Sequence, residues 1–130
     1  MIQLIAASLL LVLGAGCHSK TADPKEMLDR YFSSAIRQDY AATYDCYYNA
    51  YKAKVTKDEF IKHRKEASVL QAYKIISLTQ KGDTAQAQVL LTFAPSEKLN
   101  RKGPVSTTVT EDMILEGGQW RIKVWDSPGK

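Results

Sequence analysis

Two charged residues sit in rows of apolar neighbours, and chemistry in this chain would start with them. Glu111 alternates with Val109, Met113 and Leu115, and Lys74 alternates with Ala72 and Ile76. A carboxyl held among apolar side chains loses the solvation of its charged form. Its proton affinity rises, and it can act as an acid or a base near neutral pH. An ammonium in the same setting must be paired, neutralised or led out to a rim. For each residue the alternative is a bulge that turns it to the outer face of its strand. Tyrosines are a second resource: the run from Tyr40 to Tyr51, with Tyr31, Tyr73, Phe93 and Trp120, can line a pocket for a flat ligand or fill a core between helices and a sheet. The expected pocket is Tyr31, Tyr44, Lys74, Phe93, Glu111 and Trp120. His63 lies among Lys62, Arg64 and Lys65, whose charges oppose protonation and metal binding, so it reads as part of a solvated helix face. No zinc spacing, phosphate loop, nucleophile elbow or dinucleotide fingerprint occurs in the sequence. No cofactor, metal ligand or catalytic residue is therefore expected.

These residues need elements to position them. Asp23-Pro24-Lys25-Glu26 is a helix start, with Asp as cap, Pro in the first turn and Glu three places on. Met27, Leu28, Tyr31, Phe32, Ala35 and Ile36 follow at helical spacing, which predicts a helix to about Arg37. Asp39 caps a second predicted helix carrying the tyrosine face. Thr56-Lys57-Asp58-Glu59 is a capping box that opens a third, to about Ala67. After Ser68 the period becomes two. Strands are predicted over 69–80 and 84–94, joined by a hairpin with Gly82 at its first central position, which pairs Leu78 with Ala87, Ile76 with Val89 and Lys74 with Leu91. A basic loop over 95–104 leads to a second hairpin, 105–115 and 119–126, around Gly117-Gly118. Its register pairs Leu115 with Trp120, Met113 with Ile122 and Glu111 with Val124, and on the other face Asp112 with Lys123. The fold class is α+β: three N-terminal helices packed on a curved four- or five-stranded antiparallel sheet.

The first residues are of another kind. Leu4 to Leu13 is apolar except for Ser8, then come Gly14, Ala15, Gly16 and Cys17. Ten residues of helix rise about 15 Å, half of a bilayer core, so the run fits a signal h-region better than a span. L-G-A-G-C resembles a bacterial lipoprotein signal, cleaved before a cysteine that carries a thioether-linked diacylglycerol. Gly14 stands where that family prefers Leu, and no Lys or Arg precedes the apolar run. The resemblance implies a signal peptide over 1–16, a lipidated tether over 17–22, a domain over 23–126 and a tail over 127–130. It also implies attachment to a membrane through lipid on Cys17, at the bacterial cell envelope. With Cys17 acylated, Cys46 has no partner for a disulfide. A formal charge of +4 on 130 residues favours anionic surfaces weakly and does not indicate a nucleic-acid binder.

The run Y-F-S-S-A-I-R-Q-D-Y-A-A-T-Y-D-C from Tyr31, F-I-K at Phe60 and G-G-Q-W-R-I-K-V at Gly117 resemble nuclear transport factor 2-like domains over about Asp23 to Trp125. That resemblance implies a cone-shaped α+β fold, whose members include steroid isomerases, cyclases, dehydratases, transport receptors and exported lipoproteins without known activity. Three functions are then expected to compete. The first is a non-enzymatic module binding a small ligand or an envelope protein. The second is a cavity enzyme with Glu111 as acid or base. The third is a homodimer built on the outer sheet face with Leu90, Ile114 and Trp125. The basic residues of the third helix and the long loop read either as a solvated face or as a surface for anionic lipid or an acidic polymer.

Overall fold

The computed structural model describes residues 23–124. The leader, Cys17, the tether, Trp125 and the tail lie outside the described residues. Helix α1 (Pro24–Ile36) begins where the sequence predicts, with the Asp23 carboxylate accepting from the Lys25 amide. It buries Met27, Leu28, Phe32 and Ala35 along one stripe. Its end is a Schellman stop: the Gln38 amide donates to the Ala35 carbonyl at 3.0 Å, and the Asp39 amide donates to that of Ser34 at 2.9 Å. Gln38 takes φ 59° to close it.

The single helix expected after Asp39 is instead two, α2 (Tyr40–Asp45) and α3 (Asn49–Lys54). Between them the backbone leaves the helical ladder to pair with the last strand. The Ile122 amide donates to the Cys46 carbonyl at 2.8 Å, and the Tyr48 amide donates to the Ile122 carbonyl at 2.9 Å. Residues 46–48 thus act as a fragment of a fifth strand, held by one parallel bridge. Helix α4 (Lys57–Glu66) opens with the expected capping box, in which both the Thr56 and Glu59 side chains bond the opposite backbone amide.

Strands β1 (Leu70–Lys81), β2 (Thr84–Phe93), β3 (Val105–Glu116) and β4 (Gln119–Lys123) form one antiparallel sheet in the order β1-β2-β3-β4. The β3–β4 turn has both central glycines at positive φ, 54° and 77°, as a type I′ turn requires. Its register is the one the sequence predicts, with Leu115 opposite Trp120, Met113 opposite Ile122 and Asp112 opposite Lys123. The β1–β2 register agrees as far as Leu78 opposite Ala87 and then departs. A slip at Ile76 sets Ser77 opposite Gln88 and Ile75 opposite Val89. One extra residue reverses the parity from Ile75 back to Ala72, and a second shift between Ala72 and Leu70 restores it, so that Leu70 is again buried, opposite Phe93. Lys74 therefore faces Leu90, not Leu91, and is exposed. Tyr73 takes the inward place opposite Leu91. The slip replaces a buried ammonium with an aromatic ring, and Ile76 is left 55% exposed. Lys74 is thus corrected from a pocket residue to an outer-face residue.

Helices cover one face of the sheet. The core there joins Met27, Leu28, Phe32, Tyr44, Tyr47 and Phe60 to Val89, Met113, Trp120 and Ile122. On the outer face, cross-strand polar pairs replace apolar contact: Gln86 donates to Asp112 at 2.9 Å, Gln88 donates to Thr110 at 2.8 Å, and the Thr92 and Ser106 hydroxyls share a bond. Helix α1 runs antiparallel to β1. Asp29 bonds Tyr73, and Phe32 stacks on the same ring, while Ala35 lies near Leu70 and Phe93. Its first turn therefore lies toward the hairpin-turn end of the sheet and its last toward the long loop.

Candidate functional site

Glu111 projects from the middle of β3 on the covered face, opposite Ala87. A methyl group there leaves the carboxyl room that a larger residue would fill. Above it two tyrosines meet. Tyr31 comes from α1 and Tyr47 from the segment pinned to β4, and their hydroxyls are 2.7 Å apart. Tyr47 is fixed on both sides, stacked on Tyr51 at 4.5 Å between centroids and edge-on to Tyr31 at 5.6 Å. Arg64 reaches in from α4 with its guanidinium 5.6 Å from the centre of the Tyr40 ring.

Three of the six expected pocket residues come together. Tyr31, Phe93 and Glu111 line one cavity of about 80 Å³, closed by Phe32, Leu91 and Arg64 among others. Glu111 also borders a more open hollow of about 210 Å³, with Tyr31, Tyr47 and Ile122. The other three are elsewhere. Lys74 is on the outer face. Trp120 is 1% exposed in the core. Tyr44 is buried, its hydroxyl donating to the Val55 and Lys52 carbonyls at 2.6 and 3.2 Å, which ties α2 to the C-terminal part of α3. The sequence marked Tyr47 only as one of the tyrosine run and Arg64 only as one of the basic residues of the third helix. The signal for Tyr47 was its place in the tyrosine run; nothing local to Arg64 announced its position.

The electrostatics follow from burial. Glu111 accepts no hydrogen bond and forms no ion pair among the described residues. Burial, helped by the charge of Asp112, pushes its carboxyl up to about 7. Burial likewise raises Tyr47 to about 12 and holds Tyr31 well above the usual phenol range, with Tyr47 and Glu111 adding to the effect on Tyr31. Both hydroxyls stay neutral, so each can donate or accept. Near neutral pH the arrangement holds one exchangeable proton on Glu111 beside a neutral hydroxyl pair. It can carry out proton exchange or bind a polar group of a few atoms. Cys46, the one cysteine among the described residues, is a buried free thiol that donates to the Ala42 carbonyl at 3.5 Å. Burial raises its pKa against the pull of Arg30, which makes it a poor nucleophile.

No protein-family model matches the chain, and neither does any curated protein. Solved structures do match. A SEC-C motif containing protein from Rhodopseudomonas palustris aligns with a TM-score of 0.64 at 13% identity, over 80% of this chain and 77% of that one. A SEC-C motif containing protein from Psychrobacter arcticus aligns with a TM-score of 0.61 at 13% identity, over 98% of this chain and 77% of that one. An NTF2-like protein of unknown function from Pseudomonas putida KT2440 aligns with a TM-score of 0.53 at 15% identity, over 75% and 78%. At such identities the likeness is one of fold. The fold is α+β and nuclear transport factor 2-like, as the sequence resemblance implied.

Proposed function

We propose that this chain is an exported lipoprotein of the bacterial cell envelope, held to a membrane by lipid on Cys17, whose domain is a non-enzymatic module that binds a small ligand or a protein. The observation that carries the binding half is the size of the interior. The hollows around Glu111 measure about 80 and 210 Å³, whereas ligand pockets run from about 300 to 1,000 Å³. A metabolite-sized molecule, substrate or ligand, does not fit there, which favours the protein-binding form of the module over the small-ligand form. The anchoring half is supported by the short apolar leader, the small residues before Cys17 and a helix cap at Asp23, six residues on. Mass spectrometry of the natively purified full chain tests it. The expected species begins at Cys17 and carries two or three acyl chains; an unmodified thiol there, or a different first residue, overturns the anchor.

A second reading has one observation in its favour. A carboxyl at about 7 beside a tyrosine hydroxyl pair is a proton-transfer group in working range, and an isomerase, cyclase or dehydratase acting on a very small substrate is the corresponding enzyme. Deuterium exchange into an acetone-sized carbonyl probe distinguishes the two: exchange faster than in buffer that Glu111→Gln abolishes supports this enzyme reading, and exchange at the buffer rate supports the binding module.

A further inference from the structure

The loop end of the molecule collects charge in a way the sequence order hides. The Arg101 guanidinium donates to the Ser68 hydroxyl at 2.9 Å and to the Ala94 carbonyl at 3.4 Å. The Ala94 amide also donates to the Val69 carbonyl at 2.8 Å. These bonds lay the long loop beside the C-terminus of α4, so two distant segments become one surface. Residues 62–66 and 97–102 hold six cations and two carboxylates between them. That excess of four equals the formal charge of the whole chain, so the rest of the molecule is neutral on balance. Lys62, Lys65, Lys98 and Lys102 are exposed, and none is paired with a carboxylate among the described residues. The ion pairs seen elsewhere, Lys25 with Asp29 and Lys57 with Asp45, lie away from this end.

The surface is also built and partly apolar. Ser96 and Arg101 exchange two backbone hydrogen bonds, at 3.0 and 2.9 Å, and the Leu99 amide donates to the Ser96 hydroxyl at 3.3 Å. This closes a tight turn with Asn100 at φ 53°. At its tip Leu99 is 55% exposed between Lys98 and Arg101, and Val69 and Val105 are exposed at the same end of the sheet. An ordered loop that holds a leucine in water between cations has a fixed cost in solvation, which a partner recovers by covering it.

We infer that this end is a docking surface for an acidic protein segment, one that sets an apolar side chain against Leu99 and carboxylates against Lys98, Lys102, Lys62 and Lys65. A glycan polymer supplies the carboxylates but nothing for the leucine. The lipid of an anchoring membrane is the weaker candidate by direction: α1 leads its first turn away from the loop end, and its thirteen residues set that turn about 20 Å from its last, beyond the Debye length of roughly 8 Å. That last step alone rests on the lipoprotein reading; the charge and the leucine do not.

The test is binding of the full chain in detergent micelles to a fluorescein-labelled peptide of alternating Glu and Leu, with the Gln and Leu version as control. Binding of the Glu peptide that weakens with salt is expected. Lys98→Glu with Lys102→Glu weakens it about tenfold, Leu99→Ser weakens it as well, and Lys74→Glu with Lys81→Glu, an equal change of charge away from the loop end, leaves it unaltered. All five positions are exposed, and an unchanged thermal transition certifies each variant as folded. Equal binding of the Gln peptide, or equal loss from the Lys74 and Lys81 pair, overturns the assignment. So does equal competition by polygalacturonate, which points to a glycan, or by micelles doped with phosphatidylglycerol, which points to lipid. Absence of lipid on Cys17 in the mass spectrum would remove the anchor and leave this measurement standing.

Discussion

At Glu111 the cost of a buried charge becomes a dependence of stability on pH. Its carboxyl ionises near 4.5 in the ordinary case and at about 7 here, chiefly through burial. Between those values the folded chain keeps the proton while the unfolded chain has lost it, so stability falls as pH rises through that window and is flat above it. The loss over the window is roughly 3 kcal/mol. Urea unfolding between pH 4.5 and 8 should show this slope, and Glu111→Gln should flatten it and be the more stable protein at pH 8. A variant with the native slope would place the titrating group elsewhere. Next to it, Tyr31→Phe leaves the Tyr47 hydroxyl without its partner and should cost about 1–2 kcal/mol at any pH below the phenol range. Cys46, buried with a raised pKa, should resist iodoacetamide in the folded protein and react fully in urea; rapid alkylation without denaturant would contradict its placement.

At the scale of elements, the stops and starts were written locally and the parity of one strand was not. The Asp23 cap, the Thr56–Glu59 box and the Gly117-Gly118 turn each satisfy backbone groups within a few residues, and the sequence shows those groups directly. The site residue on β3 was legible for the same reason, since a two-residue turn fixes the β3–β4 register a few positions away. The bulge at Ile76 has no local signature. It is chosen by whether Lys74 or Tyr73 goes under the helices, a decision made by Asp29 and Phe32 on α1, more than forty positions earlier. The break between α2 and α3 is of the same kind, made by backbone pairing with β4 far along the chain. Local signals also allow a local improvement. Gln38 closes α1 in the left-handed region at φ 59°, where a side chain with Cβ is strained and glycine is not. Gln38→Gly should raise stability by about 1 kcal/mol, read as a higher urea midpoint with an unchanged slope; a lower midpoint would mean that the flexibility gained in the unfolded chain outweighs the strain relieved.

The molecule as a whole is tied together by bonds between distant parts of the chain. Tyr73 on β1 donates to Asp29 on α1 across 44 positions, and Tyr48 donates to the Val124 carbonyl across 76. The Asn49 amide donates to Glu116 across 67. Arg101 clamps the loop to the connection after α4. Helices α1 and α3 thus answer to strands far from them in sequence, and a partial opening would strand buried groups on both sides. Trp120 lies at the centre of this arrangement, 1% exposed. The core is carried by packing and these bonds, with Cys46 a free thiol among the described residues. The chain from His18 onward should therefore unfold in a single transition, with tryptophan fluorescence and far-ultraviolet dichroism superimposed, and dithiothreitol should leave its midpoint in place. Trp120→Ala should cost about 3–5 kcal/mol, a large share of the 5–15 kcal/mol that a domain of this size has in total. Two separated transitions would show instead that the helices and the sheet hold together independently, and the tyrosine pair over Glu111, which belongs to both, would then come apart before the sheet does.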